Sequence, residues 1–419
     1  MAGSNKRRSV QSRCATESCR PLRIFAGLLV WLLTAPPIVA AQAQTASDVA
    51  ASANTLWSVP GIRMNDVMRS SDGTIFILTR DDNNEKSLLV GANESGPGRT
   101  VPIANSRTMP QSNVRLVEGQ GNTLLIGGTR NNGVSTFSSP LSDGYLAKID
   151  REGRLIWELE IARNRKNELQ SIASLPSGDV VVAGRDGDHA WLARVSKDGR
   201  LSWEKTFGLG KVASVAVMGD IILVAAFEAS GEPVAGRIQA RVALWRFSDA
   251  GELLGQQIVR DEIAQGPSTT WVMKVTAAPN AIYVFSAWTE LMMSPITTKP
   301  LSVIKMDMQG HVLWQKEIAD TSFQTRIGSS LCVHAVGVLT DGSALADCPV
   351  DGGIKLFRLE PNAGEIARTF LPNMQRQNCD GMVGSSWFMV QRSESAVWVF
   401  GNGRGCTWLQ QISLTDFRK

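Results

Sequence analysis

Residue types and motifs that are typical of catalytic sites are scarce in this chain of 419 residues. It has 3 His and 2 Tyr, and it contains no Gly-x-Ser-x-Gly elbow, no His-Glu-x-x-His pair and no Gly-x-x-x-x-Gly-Lys-Ser/Thr phosphate loop. Hydrolases with a nucleophile elbow, zincin-type proteases and P-loop nucleotidases are therefore not indicated. No window of roughly 11–18 residues has the apolar spacing of an amphipathic helix, which predicts an all-β protein.

The excess of positive charge is confined to the N-terminus. Six basic residues precede an apolar run at 24–33, and small residues follow Pro36 and Pro37. This order is typical of a secretory signal, predicted here over residues 1–43, with an uncleaved anchor as the alternative. Without that segment, which holds six bases and one acid, the net charge changes from +4 to −1. We therefore expect a periplasmic or secreted protein with no later membrane span and no nucleic-acid partner.

One phrase recurs along the rest of the chain: a strand, a tight turn closed by Gly, and a second strand that carries Trp. Clear copies surround Gly153, Gly199 and Gly310, and weaker copies surround Gly251 and Gly364. Gly supplies the positive φ that such turns require. A second hairpin precedes the phrase, so each unit has four strands and the units repeat about every 53 residues.

Residues 44–419 have room for about seven such units, which predicts one domain, a seven-bladed β-propeller of four-stranded antiparallel blades. The seventh unit ends after three strands, and residues 55–59 have the Leu-Trp register of the outer strands elsewhere. A strand from the N-terminus is therefore predicted to complete the last blade and close the ring, which removes two exposed sheet edges. Two separate β-sandwiches are the alternative. The blades are predicted to begin near Arg63, Asn113, Leu169, Lys211, Thr270, Ser330 and Cys379.

The repeated phrase resembles the repeat of bacterial quinoprotein-like propellers, of the PQQ type, and of their WD40-like relatives. The resemblance rests on Ala147, Asp150, Gly153 and Trp157, which keep the family's Gly-to-Trp spacing but lack its Thr and one turn residue. It covers nearly the whole chain after residue 43 and implies the propeller fold. The quinone-dependent enzymes of that family have eight blades and longer chains, so no cofactor is predicted here.

Four cysteines follow the signal segment and support export. Cys332 and Cys348 lie at the same end of adjacent predicted strands, and so do Cys379 and Cys406, which predicts the disulfides Cys332–Cys348 and Cys379–Cys406. A zinc site that includes His334 is the alternative. Since no Cys-x-x-Cys or His-x-x-x-His spacing accompanies these residues, no metal site is predicted.

Polar residues recur where the second strand of each unit ends. In a propeller these ends gather on one face around the central channel, where ligands bind, so we predict a binding face there. The alternative is that repeated units share similar polar turns. The candidate residues are Arg80, Asp81, Arg130, Asn131, Arg185, Asp186, Asp188, His189, Glu228, Trp288, Glu290, Asp351 and Arg404.

Two classes of function remain open from the sequence. The first is a monomeric, non-enzymatic propeller that binds a protein or cell-envelope partner, as an assembly factor, scaffold or toxin inhibitor. The second is an enzyme, either a degenerate quinoprotein oxidoreductase or a glycan-directed hydrolase or lyase. Asp186, Asp188 and His189 would supply acid and base groups to a hydrolase or lyase, although a polar turn is the simpler interpretation. The shortage of His favours the first class, and no catalytic residue is predicted.

Overall fold

The structure is a computed structural model of the chain, and every described residue belongs to one compact unit, Asp48–Lys419. The described residues are 54–60, 62–81, 86–93, 96–104, 109–110, 112–131, 142–161, 167–234, 237–265, 269–290, 297–318, 336–350, 353–372, 386–403 and 406–417. Within these ranges no helix is long and apolar enough to cross a membrane. The predicted signal segment, 1–43, lies outside them.

Strands account for nearly all regular structure in the described ranges. Strand β1 spans Asn54–Pro60, and a short 3₁₀ helix spans Leu414–Asp416. The strands of blades 1 to 3 are β2 (Ile62–Arg69), β3 (Ile75–Asp81), β4 (Lys86–Asn93), β5 (Gly96–Pro102), β6 (Ser112–Gly119), β7 (Thr123–Asn131), β8 (Ser142–Asp150), β9 (Leu155–Ile161), β10 (Asn167–Ser174), β11 (Val180–Asp186), β12 (His189–Val195) and β13 (Leu201–Leu209). Those of blades 4 to 7 are β14 (Lys211–Met218), β15 (Ile221–Val234), β16 (Arg237–Ser248), β17 (Leu253–Gln265), β18 (Thr269–Ala278), β19 (Ala281–Glu290), β20 (Thr297–Met306), β21 (Val312–Ile318), β22 (Val336–Val338), β23 (Ala344–Val350), β24 (Gly353–Leu359), β25 (Ile366–Pro372), β26 (Ser386–Ser393), β27 (Ala396–Gly403) and β28 (Cys406–Ser413).

These strands form seven four-stranded antiparallel sheets, which confirms the predicted seven-bladed propeller. In blades 1 to 6 the strands pair in chain order and are called a to d from the channel outward. Blade 7 has the order β1-β28-β27-β26, so the N-terminal strand is its strand d. Thr55 pairs with Gln410 and Val59 with Thr407, as the Leu-Trp register predicts. Adjacent a strands contact one another from β2 round to β26 and back to β2, which excludes two separate sandwiches.

Apolar contacts between neighbouring blades hold the ring together. The b strands are buried on both faces, as the unbroken burial of residues 75–79 and 180–184 shows. Each of the seven interfaces between blades has its own cluster of buried apolar side chains. The cluster between blades 7 and 1 joins Trp398 and Phe400 to Ile77, so the closing interface is packed like the others. Burial on both faces explains the continuous apolar runs of the b strands.

The repeated Trp binds the repeated Gly of the next blade. The indole of Trp157, in blade 2, lies so close to Gly199, in blade 3, that a Cβ on that glycine would lie 2.8 Å from the ring. Its Nε1 donates to Lys197 O at 2.9 Å. Gly199 also has a φ of 79°, so both its backbone conformation and its lack of a side chain are required. The Trp of one repeat therefore packs against the turn Gly of the next repeat, and we call this contact between blades the interlock.

Two more interfaces use the same interlock. Trp203 packs against Gly251 and donates to Asp249 O at 3.1 Å, and Trp314 packs against Gly364 and donates to Pro361 O at 2.9 Å. We call the side of the ring with these c–d turns and the a–b turns the turn face. The opposite side, where b strands end and c strands begin, is the b–c face.

Blade 4 has a different interlock with blade 5. Gly255 stands where blades 2, 3 and 5 have Trp, and the Arg246 guanidinium lies over it, 2.9 Å from the position of a Cβ. The central carbon of this guanidinium lies 3.6 Å from the position that a Cβ on Gly310, in the turn of blade 5, would occupy. Gln257 Oε1 lies 3.1 Å from the same position. A planar cation and an amide therefore replace the indole at this interface.

Candidate functional site

Six of the candidate residues end b strands on the b–c face. Arg80 and Asp81 end β3, Arg130 and Asn131 end β7, and Arg185 and Asp186 end β11. All b strands run in the same direction through their blades, so these ends lie on one face of the ring. Their assignment to a binding site stays a prediction.

Glu228 was expected at the end of a strand, and this placement is wrong. Strand β15 continues for six residues beyond it, to Val234, and the equally extended strand β16 pairs with this extension. Glu228 lies half-buried inside blade 4, where its Oε1 accepts hydrogen bonds from Trp245 Nε1 at 2.9 Å and from Gln256 Nε2 at 3.1 Å. Burial raises the pKa of Glu228, although these hydrogen bonds and the charge of Arg241 oppose the shift.

Arg130 is fixed by contacts within blade 2. Its guanidinium lies 4.6 Å from the centre of the Tyr145 ring and 3.3 Å from Glu160 Oε2. The Tyr145 hydroxyl in turn donates to Glu158 Oε2 at 2.6 Å. The cation is therefore held in a defined position at the edge of the face while part of it stays exposed.

Asp186, Asp188 and His189 form a tight hairpin. Asp186 pairs with His189 across the turn Gly187–Asp188, and Arg185 Nε donates to Gly187 O at 2.6 Å. The backbone carbonyl of Asp188 accepts from Gly210 N at 2.7 Å, while the side chains of Asp188 and His189 are exposed. This geometry is that of a polar turn rather than of a buried acid–base pair.

The remaining predicted residues are only partly described. Trp288 and Glu290 lie on β19, Cys348 on β23 and Cys406 on β28. Asp351, Arg404, Cys332 and Cys379 lie outside the described residues, so the two disulfides stay predictions. Among the described residues, no group of three or more His, Cys, Asp or Glu is arranged to hold a metal ion.

Three charged residues on the inner strands were missed by the sequence reasoning: Asp66 on β2, Arg115 on β6 and Lys274 on β18. Asp66 is only 7% exposed; its Oδ1 accepts from Val67 N at 3.0 Å, and its Oδ2 from Leu116 N at 2.6 Å. The second bond crosses from blade 1 to blade 2. Asp66 therefore joins two inner strands while it brings a carboxylate to the lining of the channel.

The charges of the inner strands act on one another. Burial raises the pKa of Asp66, and the charges of Arg115 and Lys274 oppose this shift. The Lys274 side chain reaches solvent and donates to Val336 O at 2.9 Å. The blades surround it, however, and this loss of bulk water lowers its pKa, with Asp66 acting in the opposite direction. No local signal in the sequence singles out Asp66 or Arg115, since β2 and β6 contain other polar and charged residues.

Comparisons with known proteins identify the fold and no family. No protein-family model and no curated protein matches the chain. The polysaccharide lyase Uly1 has a similar structure, with a TM-score of 0.52, 10% identity and coverage of 84% of this chain and 89% of that chain. The WD40 domain of coronin from Toxoplasma gondii has a TM-score of 0.50 at 12% identity and covers 87% of this chain and 86% of its own.

These likenesses show the propeller fold alone. One of the two structures is named as a lyase and the other as a WD40 domain, so the fold is compatible with both classes of function. Neither is named as a quinoprotein. The PQQ type that the repeat suggested is therefore not supported.

Proposed function

We propose that this chain is an exported, non-enzymatic propeller that docks a protein or cell-envelope component on its b–c face, in an assembly, scaffold or toxin-inhibitor role. One observation carries the proposal: the fixed polar groups around this face come from different blades. Arg130, Arg185 and Glu228 belong to three different blades, and each binds groups of its own blade.

This arrangement suits docking better than catalysis. Acid–base chemistry needs two or three groups within hydrogen-bond reach of one substrate atom. A docking surface instead uses many fixed polar groups spread over a wide area, each of which meets its own partner group. The exposed hairpin at Asp188 and the anchored cation of Arg130 fit the second description.

The proposal is tested by affinity capture from a native periplasmic extract, followed by mass spectrometry. The test variant replaces Arg130, Arg185 and Asp186 by Ala. The control variant replaces Arg154, Lys197 and Asp198, which are exposed on the turn face and change the charge equally. Proteins that the wild type and the control capture should be lost with the test variant. Equal capture by both variants would reject the b–c face as the docking site.

An enzymatic function is the second candidate, and Glu228 is the observation that favours it. A carboxyl group whose pKa is raised keeps its proton to higher pH and can act as a general acid, which glycan-directed hydrolases or lyases need. If this candidate is right, the protein will release sugar or unsaturated products from a panel of acidic polysaccharides. Glu228→Gln would then abolish turnover and keep the fold.

A further inference from the structure

Five polar residues hold the same place on the innermost strands of blades 1 to 5. In blades 1 to 4 the residue comes directly after a β-bulge in strand a, where the pairing with strand b shifts register. In blade 5 the residue is Lys274, and in all five blades the residue that follows is apolar and buried, Val275 in this case. We call the five residues the channel girdle: Asp66, Arg115, Ser171, Ser214 and Lys274.

Hydrogen bonds between blades keep the channel girdle at one level of the channel wall. Asp66 Oδ2 accepts from Leu116 N at 2.6 Å, and Ser171 Oγ accepts from Val215 N at 3.1 Å. Leu116 and Val215 directly follow the girdle residues of their own blades. The bonds therefore join equivalent positions of neighbouring inner strands around the ring.

The two cations of the girdle lie on opposite sides of the channel. Arg115 belongs to blade 2 and Lys274 to blade 5, which is three blades away in one direction round the ring and four in the other. The Lys274 side chain reaches solvent although the blades surround it, as a group in a water-filled channel does. Burial lowers the pKa of Lys274, the charge of Asp66 opposes this shift and that of Arg115 adds to it. The two cations therefore act on one another through the channel.

The girdle carries more positive charge than its own groups balance. Asp66 is its one acid, and both oxygens of that carboxylate already accept backbone N–H groups. Arg115 Nη1 donates to Val114 O and Lys274 Nζ to Val336 O, each at 2.9 Å. Neither cation forms an ion pair with a carboxylate of the described residues. Two cations that protein surrounds and no carboxylate pairs favour the entry of an anion.

From this charge pattern we propose that the central channel binds a small oxyanion, a carboxylate or phosphate group, between Arg115 and Lys274. The planar guanidinium of Arg115 can donate to two oxygens of such a group, and the Lys274 ammonium can bind it from the other side. The Ser171 hydroxyl can add a hydrogen bond, because its Oγ only accepts in the bond from Val215 N and keeps its proton to donate. Directed donors of this kind fit the several oxygens of an oxyanion better than a halide ion.

The channel site is separate from the proposed docking face. The girdle lies on a strands, whereas Arg130 and Arg185 lie at the ends of b strands. Partner capture can therefore fail while oxyanion binding persists, and the reverse is equally measurable.

Isothermal titration calorimetry of the purified protein tests the site at constant ionic strength. Sodium phosphate is the titrant in one arm, sodium succinate in a second, and sodium chloride in the reference arm. We expect at least one oxyanion to bind with a Kd below about 10 mM, and chloride to bind about tenfold more weakly or less. Binding of phosphate alone would assign a phosphate group, and binding of succinate alone a carboxylate group. Absence of binding in both oxyanion arms, or equally tight binding of chloride, would overturn the proposal.

Variants show whether the girdle is the binding site. Lys274→Met removes the charge and keeps an unbranched side chain, so it should weaken oxyanion binding by about tenfold or more. Arg115→Gln should weaken it as much, which keeps the test open if one variant fails to fold. The matched control is Lys305→Met, because Lys305 also donates to a carbonyl of the next blade, Pro361 O at 2.8 Å, but lies on β20, a c strand outside the channel. This control should leave the Kd unchanged, and a loss equal to that of Lys274→Met would overturn the proposal.

Discussion

The turn face and the b–c face of this ring are built from different contacts. On the turn face, indoles of one blade bind glycines of the next, and the contact recurs at Trp157, Trp203 and Trp314. On the described b–c face, Arg130 and Arg185 bind groups of their own blade. The repeat therefore constrains the turn face, where blades must fit one another, and leaves the b–c face free to vary. A surface that is free to vary can acquire specificity.

The pKa values of carboxyl groups are shifted in opposite directions on the turn face and elsewhere in the molecule. Burial alone would raise the pKa of Asp341, on the turn face, but hydrogen bonds from Ser343 and the charge of Arg358 hold it below its usual range. Burial raises the pKa of Glu228 and of Asp66, which are not on the turn face. Acid should therefore weaken the turn face and spare the other sites.

Removal of the closing strand should lower the stability most, because it opens the ring and so disturbs the turn face and the b–c face alike. Deletion of residues 54–60 leaves β28 without its partner and opens the ring between blades 7 and 1. We expect the melting temperature to fall by about 10 °C or more. Differential scanning calorimetry measures this, and an unchanged melt would mean that β1 does not close the ring.

Loss of one interlock should come next. Trp203→Ala removes the indole that fills the space above Gly251, and we expect it to lower the free energy of unfolding by about 2–4 kcal/mol. Arg185→Ala, on the b–c face, should change it by less than about 0.5 kcal/mol. Urea unfolding of both variants checks the contrast. Comparable losses would erase the distinction between the two faces.

The acid dependence of the turn face should be smaller and have a definite sign. The folded-state pKa of Asp341 is lowered from 3.8, so its stabilisation is present above that pH and is lost as the pH falls through the folded-state pKa. Asp341→Asn should cost up to about 1 kcal/mol at neutral pH, since its pair with Arg358 is partly exposed. Thermal melts should show the gap closing as the pH falls below 3.8, and a gap that widens in acid would contradict the assignment.

Glu228→Gln should have the smallest effect and the opposite sign. The folded-state pKa of Glu228 is raised from 4.5, so the wild type loses stability as the pH rises through that folded-state pKa. Gln keeps an acceptor for Trp245 and carries no charge. We expect the variant to gain up to about 1 kcal/mol relative to the wild type between acid and neutral pH. A relative loss over that interval would show that the carboxylate is stabilised in the folded state.

The seven-bladed architecture could be predicted from the sequence because one local pattern, a strand, a Gly turn and a second strand, recurs along the chain. A turn Gly and a Trp four residues later mark the outer hairpins of blades 2, 3 and 5, and the missing last strand predicted the ring closure that β1 and β28 form. The length of blade 4 was not accessible, since residues 229–233 contain Gly and Pro and resemble a loop. They belong to a strand because the long strand β16 runs beside them and pairs with Ala229, Ser230 and Val234.

The inner charges were missed for a different reason. Asp66 and Leu116 are 50 residues apart, and only the ring brings the carboxylate to the next blade's N–H. Arg80, Arg130 and Arg185 lie on the expected side of the ring because their position follows from strand order alone. Their contacts depend on neighbouring strands, as the Tyr145 ring beside Arg130 illustrates, and no motif encodes them.

We propose that the b–c face binds the partner and that the turn face does not. The most direct test of this claim is a calorimetric titration of the purified, captured partner against the wild type, the b–c variant of Arg130, Arg185 and Asp186, and the turn-face variant of Arg154, Lys197 and Asp198. We predict a Kd about 100-fold weaker for the b–c variant, which corresponds to the loss of one to three hot-spot contacts, and an unchanged Kd for the turn-face variant. A weaker Kd for the turn-face variant, with the b–c variant unchanged, would contradict the claim.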